Sequence, residues 1–229
     1  MTDAQSRCGG AGVTGGGIAL AQFVSGGFDN DYRCSTQQAL QFASPPQTLT
    51  AGAPSSAIVL QLQQPAASAT SIAVTSTSGK GVFATSAGGP WSATLTVQVQ
   101  SGGTATPAFY YEDTTAGRPT LTATASGYAN ATQTESVQAA ALARITVSPS
   151  NPQIKLGSTV TFTATGVDSY GNAVSVAPTW SVTNPLGTFS PTSGSRTVFT
   201  ATAIGTATVA ATSGSTTGTT GVTVVKKRH

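Results

Sequence analysis

Short runs of alternating residues, each closed by a glycine or proline break, recur along most of this chain. IVLQLQ (58–63), SIAVTST (71–77), TLTVQV (94–99), AFYYED (108–113), PTLTATA (119–125) and ATQTESV (131–137) follow one another. Breaks fall at Pro65, Gly79, Gly88-Gly89-Pro90, Gly102-Gly103, Gly117 and Gly127. Successive strand side chains point to opposite faces, so such a run has one dry and one wet face. Strands this short, broken about every 8–15 residues, predict an all-β sandwich over 45–138.

The theme repeats over 144–229. RITVSPS (144–150), STVTFTATGVD (158–168), APTWSVT (177–183), RTVFTAT (196–202), GTATVAAT (205–212) and GTTGVTVV (218–225) carry it. LTATASG (121–127) aligns with TVAATSG (208–214), an offset of 87 residues. That offset suits one sandwich per repeat. Between the repeats lies Gln138-Ala-Ala-Ala-Leu-Ala143, without Gly, Pro or Ser. A flexible linker is Gly/Ser-rich, so this one predicts a stiff connection with Leu142 packed at the junction.

Composition excludes several chemistries. Only 7% of the 229 residues are charged, against about 25% in an ordinary soluble domain. Charged residues are among the better helix formers, so long helices are not expected. The one histidine is His229, the last residue, a poor place for a general base or a zinc ligand. Two cysteines cannot build a four-cysteine metal centre. The net charge is +3, and three of the ten cations are Lys226, Lys227 and Arg228. No basic stripe faces a phosphate backbone, so no nucleic-acid partner is expected. No apolar run is long enough to span a membrane as a helix. The apolar stretch at 11–24 has no basic lead-in and does not read as a signal peptide.

In the second repeat, ITVSPSNPQIKLGSTVTFTATGVDSYGNAVSVAPTWSV (145–182) resembles the bacterial immunoglobulin-like domains. These recur in surface adhesins of the invasin/intimin type and in secreted and phage proteins. The matching features are Leu156-Gly157-Ser158 before a Thr-rich strand, Asp168-Ser-Tyr-Gly-Asn172 at a strand end, Trp180 on the next strand and Gly205-Thr-Ala-Thr-Val209. The first repeat is similar in a more divergent way, through Phe109–Gly117. The resemblance implies two tandem Ig-like sandwiches, a fold that serves as spacer, stalk and binding head alike. Asp168, Gly171 and Asn172 read as a hairpin or corner device, the last two tolerating positive φ. Trp180 reads as the large ring of a core built from small residues; Trp91 reads either as its counterpart in the first repeat or, with Pro90 before it, as a strand-edge residue.

Residues 1–44 differ from the rest: Gly-rich, with both cysteines and no matching repeat. A Cys8–Cys34 disulfide would close this segment and add roughly 3–4 kcal/mol in the loop-entropy model. The alternatives are free thiols or pairing with a neighbour. Asp29 and Asp31 flank Asn30 and are candidate calcium ligands, though a solvated turn explains them as well. Two apolar runs, Ile18–Val24 and Ala39–Ala43, are expected to dock, on the first sandwich or on another copy. Glu112 and Asp113 are adjacent and should face opposite ways, a poor acid–base pair. Phe109 and Tyr111 share a face and are read as core rather than as a sugar platform. An isopeptide bond from Lys80 or Lys155 would need a buried acid beside it, and with seven acids in the chain none is expected.

The expectation is a non-enzymatic, extracellular structural or adhesive protein without cofactor. Its partners would be neighbouring copies, a host receptor or a surface glycan. The rival readings are a phage decoration or tail-fibre protein and a carbohydrate-binding accessory module.

Overall fold

The computed structural model describes residues 38–227. The disulfide expected between Cys8 and Cys34, the candidate ligands Asp29 and Asp31, and the Ile18–Val24 run lie outside the described residues. The described chain is all-β, with twenty strands and no helix.

Eleven strands belong to residues up to 138. They are β1 (Gln38–Phe42), β2 (Thr48–Thr50), β3 (Leu60–Leu62), β4 (Thr70–Ser76), β5 (Gly81–Ala84) and β6 (Leu95–Val99). After these come β7 (Tyr110–Asp113), β8 (Thr120–Thr124), β9 (Tyr128–Ala129), β10 (Ala131–Thr134) and β11 (Ser136–Gln138). The main sheet has the order β10-β8-β4-β6. A second layer begins with β3-β1-β9. The bridges Ile58–Phe109 and Gln61–Ala105 join β3 to the segment leading into β7, which pairs with β5. Between the layers lie Ile58, Leu60, Leu62, Ile72, Val74, Phe83, Val99, Phe109, Tyr111 and Leu121, among others, in one buried cluster.

The remaining strands form a second core. They are β12 (Arg144–Ser148), β13 (Gln153–Lys155), β14 (Thr159–Val167), β15 (Ala173–Val174) and β16 (Thr179–Val182). The last four are β17 (Gly187–Ser190), β18 (Arg196–Ala201), β19 (Gly205–Ser213) and β20 (Thr216–Val225). One sheet is β12-β14-β18-β17, with β15 on β14; the other is β13-β20-β19-β16. Inward residues of both sheets, including Phe162, Trp180, Phe199, Val209, Val222 and Val224, share a single cluster. The period-2 alternation causes this: on β20 the buried positions Gly218, Thr220, Val222 and Val224 alternate with more exposed ones.

The two cores share a closing device. Each last hairpin turns on a left-handed glycine, Gly127 (φ 81°) or Gly214 (φ 58°). In each core an early short strand then lies parallel to the final one, β2 on β11 and β13 on β20. The aligned LTATASG and TVAATSG segments are these equivalent hairpins.

β1 lies on the Ala39–Ala43 apolar run of the segment 1–44. Its Leu40 is buried and Phe42 packs on the first core, while β1 pairs with β3 (Leu40 opposite Leu62) and with β9. Alternation in Gln38–Phe42 gives this strand its dry face. Trp91 is half-exposed and belongs to neither core; the first core is filled by Phe83, Phe109 and Tyr111 instead, with Phe83 5.1 Å from Tyr111 between ring centroids. Of the two turn residues that tolerate positive φ, Asn172 stays at negative φ. Gly171 takes positive φ, at 91°, and Asn151 is the one non-glycine among the described residues that does so.

Candidate functional site at the junction of the two cores

Strand β11 ends at Gln138 and β12 begins at Arg144, leaving 139–143 as the connection. The connection is held from both sides. Ala140 packs on the first core, and Leu142 on the second. A Cβ placed on Gly166 of β14 would lie 2.8 Å from Leu142 Cδ1, so glycine there makes room for the leucine. The amide of Ala143 donates to the carbonyl of Val167 at 2.9 Å.

The turn after β14 completes the junction. Asp168 is 3% exposed and accepts four hydrogen bonds. Its Oδ1 takes the amides of Tyr170 (2.9 Å) and Asn172 (2.8 Å), which shapes the turn. Its Oδ2 takes the Asn172 side-chain Nδ2 (2.8 Å) and, across the junction, the amide of Ala140 (2.8 Å). Asn172 also reaches across. Its Nδ2 donates to the carbonyl of Thr114 at 2.9 Å, and its Oδ1 accepts the amide of Ala116 at 2.8 Å. Both Thr114 and Ala116 follow β7 of the first core.

Tyr170 supplies a third contact. Its hydroxyl sits against the backbone of Gly52, where no space remains for a Cβ, and Gly52 is left-handed at φ 75°. The Gly52 amide donates to the carbonyl of Asp113 at 2.9 Å. Asp113 itself is buried: its Oδ1 accepts the amide of Thr115 (2.8 Å) and its Oδ2 the hydroxyl of Tyr111 (2.7 Å). Ser76 Oγ lies 2.9 Å from that hydroxyl. Hydrogen bonds thus link Ser76, Tyr111 and Asp113 within the first core and Gly52 to Asp113, while Tyr170 meets Gly52 by packing.

Electrostatics follow from this geometry. Burial alone would raise the Asp168 carboxyl, but the Asn172 side chain and the amides of Ala140, Asn172 and Tyr170 outweigh it and lower it to about 2. Burial, reinforced by Asp113, pushes the Tyr111 hydroxyl above the ordinary tyrosine range, with Ser76 opposing.

Of the other residues singled out from sequence, Tyr111 and Asp113 adjoin the junction and the rest make no hydrogen bond to it. Trp180 is buried on β16, with its ring 6.3 Å from Phe162 and 6.1 Å from Phe189. Its indole N–H donates to the carbonyl of Gly194 at 2.8 Å. Phe109 and Tyr111 are fully buried and offer no platform to a sugar. Glu112 and Asp113 alternate, the first half-buried and the second buried. Lys80 and Lys155 are both exposed, whereas Asp113, Glu135 and Asp168 are buried. The buried Glu135, which accepts the amide of Gln47 and the Gln133 side chain (2.7 Å), gave no signal in the sequence. What the arrangement at 168–172 can do is mechanical: it ties one core to the other.

No protein-family model matches the chain, and no curated protein matches it. Solved structures do. Domains 4 and 5 of the S-layer protein SbsC match at 23% identity and a TM-score of 0.35, over 50% of this chain and 68% of that one. Domains 1–6 of SbsC match at 17% identity and a TM-score of 0.38, over 85% of this chain but only 28% of that one. The Yersinia pseudotuberculosis adhesin InvE matches at 20% identity and a TM-score of 0.37, over 83% of this chain and 59% of that one.

Proposed function

We propose that this chain is a non-enzymatic extracellular structural element: two tandem Ig-like sandwiches, the second spanning 144–229, coupled into a stiff spacer or building block on a cell surface or filament. The first sandwich comprises 45–138 together with β1 (Gln38–Phe42). Its partners under this reading are proteins, neighbouring copies or a receptor. One observation carries the reading: the Asn172 carboxamide uses both its oxygen and its nitrogen to bind the first core. A loose tether would leave those groups to water. The short connection, anchored by Ala140 and Leu142, supports the same conclusion.

Small-angle scattering of the full chain tests it. Asn172→Ala leaves the Ala116 amide and the Thr114 carbonyl without their partner, a loss of about 1–3 kcal/mol at the junction. The distribution of maximum dimensions is expected to widen in this variant while the strand content by circular dichroism holds. A profile as broad in the native chain as in the variant would show that the junction is not stiff.

A further inference from the structure

We propose that the free edge of β6 is a self-association surface, to which β6 of a second copy adds antiparallel, joining two four-stranded sheets into one. This goes beyond the spacer reading and does not depend on the junction.

β6 ends the order β10-β8-β4-β6 and pairs only with β4, from Val99 opposite Thr70 to Leu95 opposite Val74. No other backbone group in the described chain bonds to its five residues. An open edge is a template for another strand, and proteins block such edges with charge, proline, short length or a covering segment. Several other outer strands are blocked, and β17 runs directly into Pro191. β12 starts at Arg144 and is followed by Pro149, and β13 lies between Pro152 and Lys155. β16 is covered: Trp180 donates its amide to the carbonyl of Thr192. β5 is covered by the bridge from Phe83 to Ser92.

Among the described residues, β6 carries no charge or proline and no segment bonds along its outer edge. No charged residue lies anywhere between Lys80 and Glu112. Leu95, Val97 and Val99 face the core, while Thr96 and Gln98 are exposed.

The sequence LTVQV also favours a second copy of itself as the occupant. Placed antiparallel with Val97 opposite Val97, it sets Leu95 opposite Val99 and Thr96 opposite Gln98. Dry faces then meet dry faces, and no like charges meet. A slip of one residue would put apolar positions opposite polar ones, so the pattern selects the register. The pairing is isologous and closes as a two-fold dimer rather than a fibre. A strand pair of this length belongs to the small, transient interface class, below about 1,200 Å², so the dimer forms in a concentration-dependent way.

Equilibrium sedimentation of the full chain, with reductant present to remove cysteine cross-links, tests the proposal. The mass should rise with concentration from 22.6 kDa toward twice that value. The pair Thr96→Lys with Gln98→Lys sets like charges opposite one another twice and should weaken association roughly tenfold. Thr96→Glu with Gln98→Glu should do the same. Mixing the two variants should restore dimers, because every cross-strand pair then joins opposite charges. Thr206→Lys, on the outer face of the second core, should leave association unchanged. The proposal is overturned by a chain that stays monomeric at every concentration. It is also overturned by association indifferent to both charge pairs, by failure of the mixture to recover it, or by an equal loss in the Thr206 variant.

Discussion

At the scale of single residues, Asp168 carries the largest consequence. Its carboxyl is lowered from 3.8 to about 2 in the folded chain. A lowered carboxyl binds fewer protons folded than unfolded, so stability rises with pH across the interval between the two values. The contribution is therefore complete above about pH 4 and fades as pH falls toward 2. Asp168→Asn should flatten that stretch of a thermal-stability profile, measured against the native chain. Equal slopes between pH 4 and 2 would mean that the carboxylate is not what the four donors hold. The local part of this role was legible in DSYGN, because an Asx acceptor and a left-handed glycine announce a turn. The other part was not. The partners of Asp168 and Asn172 across the junction are Ala140, Ala116 and Thr114, 28, 56 and 58 residues away. They contribute only backbone groups, and backbone groups leave no mark in a sequence.

At the scale of elements, the strands with clean alternation were legible and the plain ones were not. β4, β6, β8, β14, β18, β19 and β20 fall on runs in which the buried positions recur every second residue. β9 and β15 hold two residues each, too few to show a period, and exist only because a neighbour's ladder continues onto them. β1 shows in the sequence only as the apolar run Ala39–Ala43 of a segment with no matching repeat. β16 illustrates how one side chain fixes an edge. Trp180 fills the space beside Phe162 and Phe189, while its indole and its own amide bind the 192–194 segment that covers the strand. Trp180→Phe removes the donor and part of the ring, at a cost of about 1–3 kcal/mol. Hydrogen exchange should show lost protection in β16, β19 and the 192–194 segment, with β4 and β8 of the first core unchanged. Equal loss in both cores would mean that they unfold as one unit.

At the scale of the whole molecule, the junction decides whether two cores behave as one body. The connection holds a ready reporter, because Arg144 opens β12 directly after it and its side chain is exposed. Its backbone, however, is paired with Val167, and the preceding amide of Ala143 is bonded to the same residue. A protease must bind an extended, unpaired backbone, so trypsin can cut after Arg144 only when this stretch opens. With fast reclosing, the cutting rate follows the population of the open form. Asn172→Ala removes two bonds across the junction, and one or two kcal/mol corresponds to a factor of roughly 5–30 in such a population. Cleavage after Arg144 at neutral pH should therefore accelerate by about that factor, giving one fragment per core. Cutting at Lys80, in the turn before β5 and far from the junction in sequence, should keep its native rate and serves as the internal control. If both sites accelerate together, the substitution has loosened the first core as well. If neither does, Asn172 does not hold the cores together, and the connection resists the protease through Leu142 and the β12–β14 pairing alone.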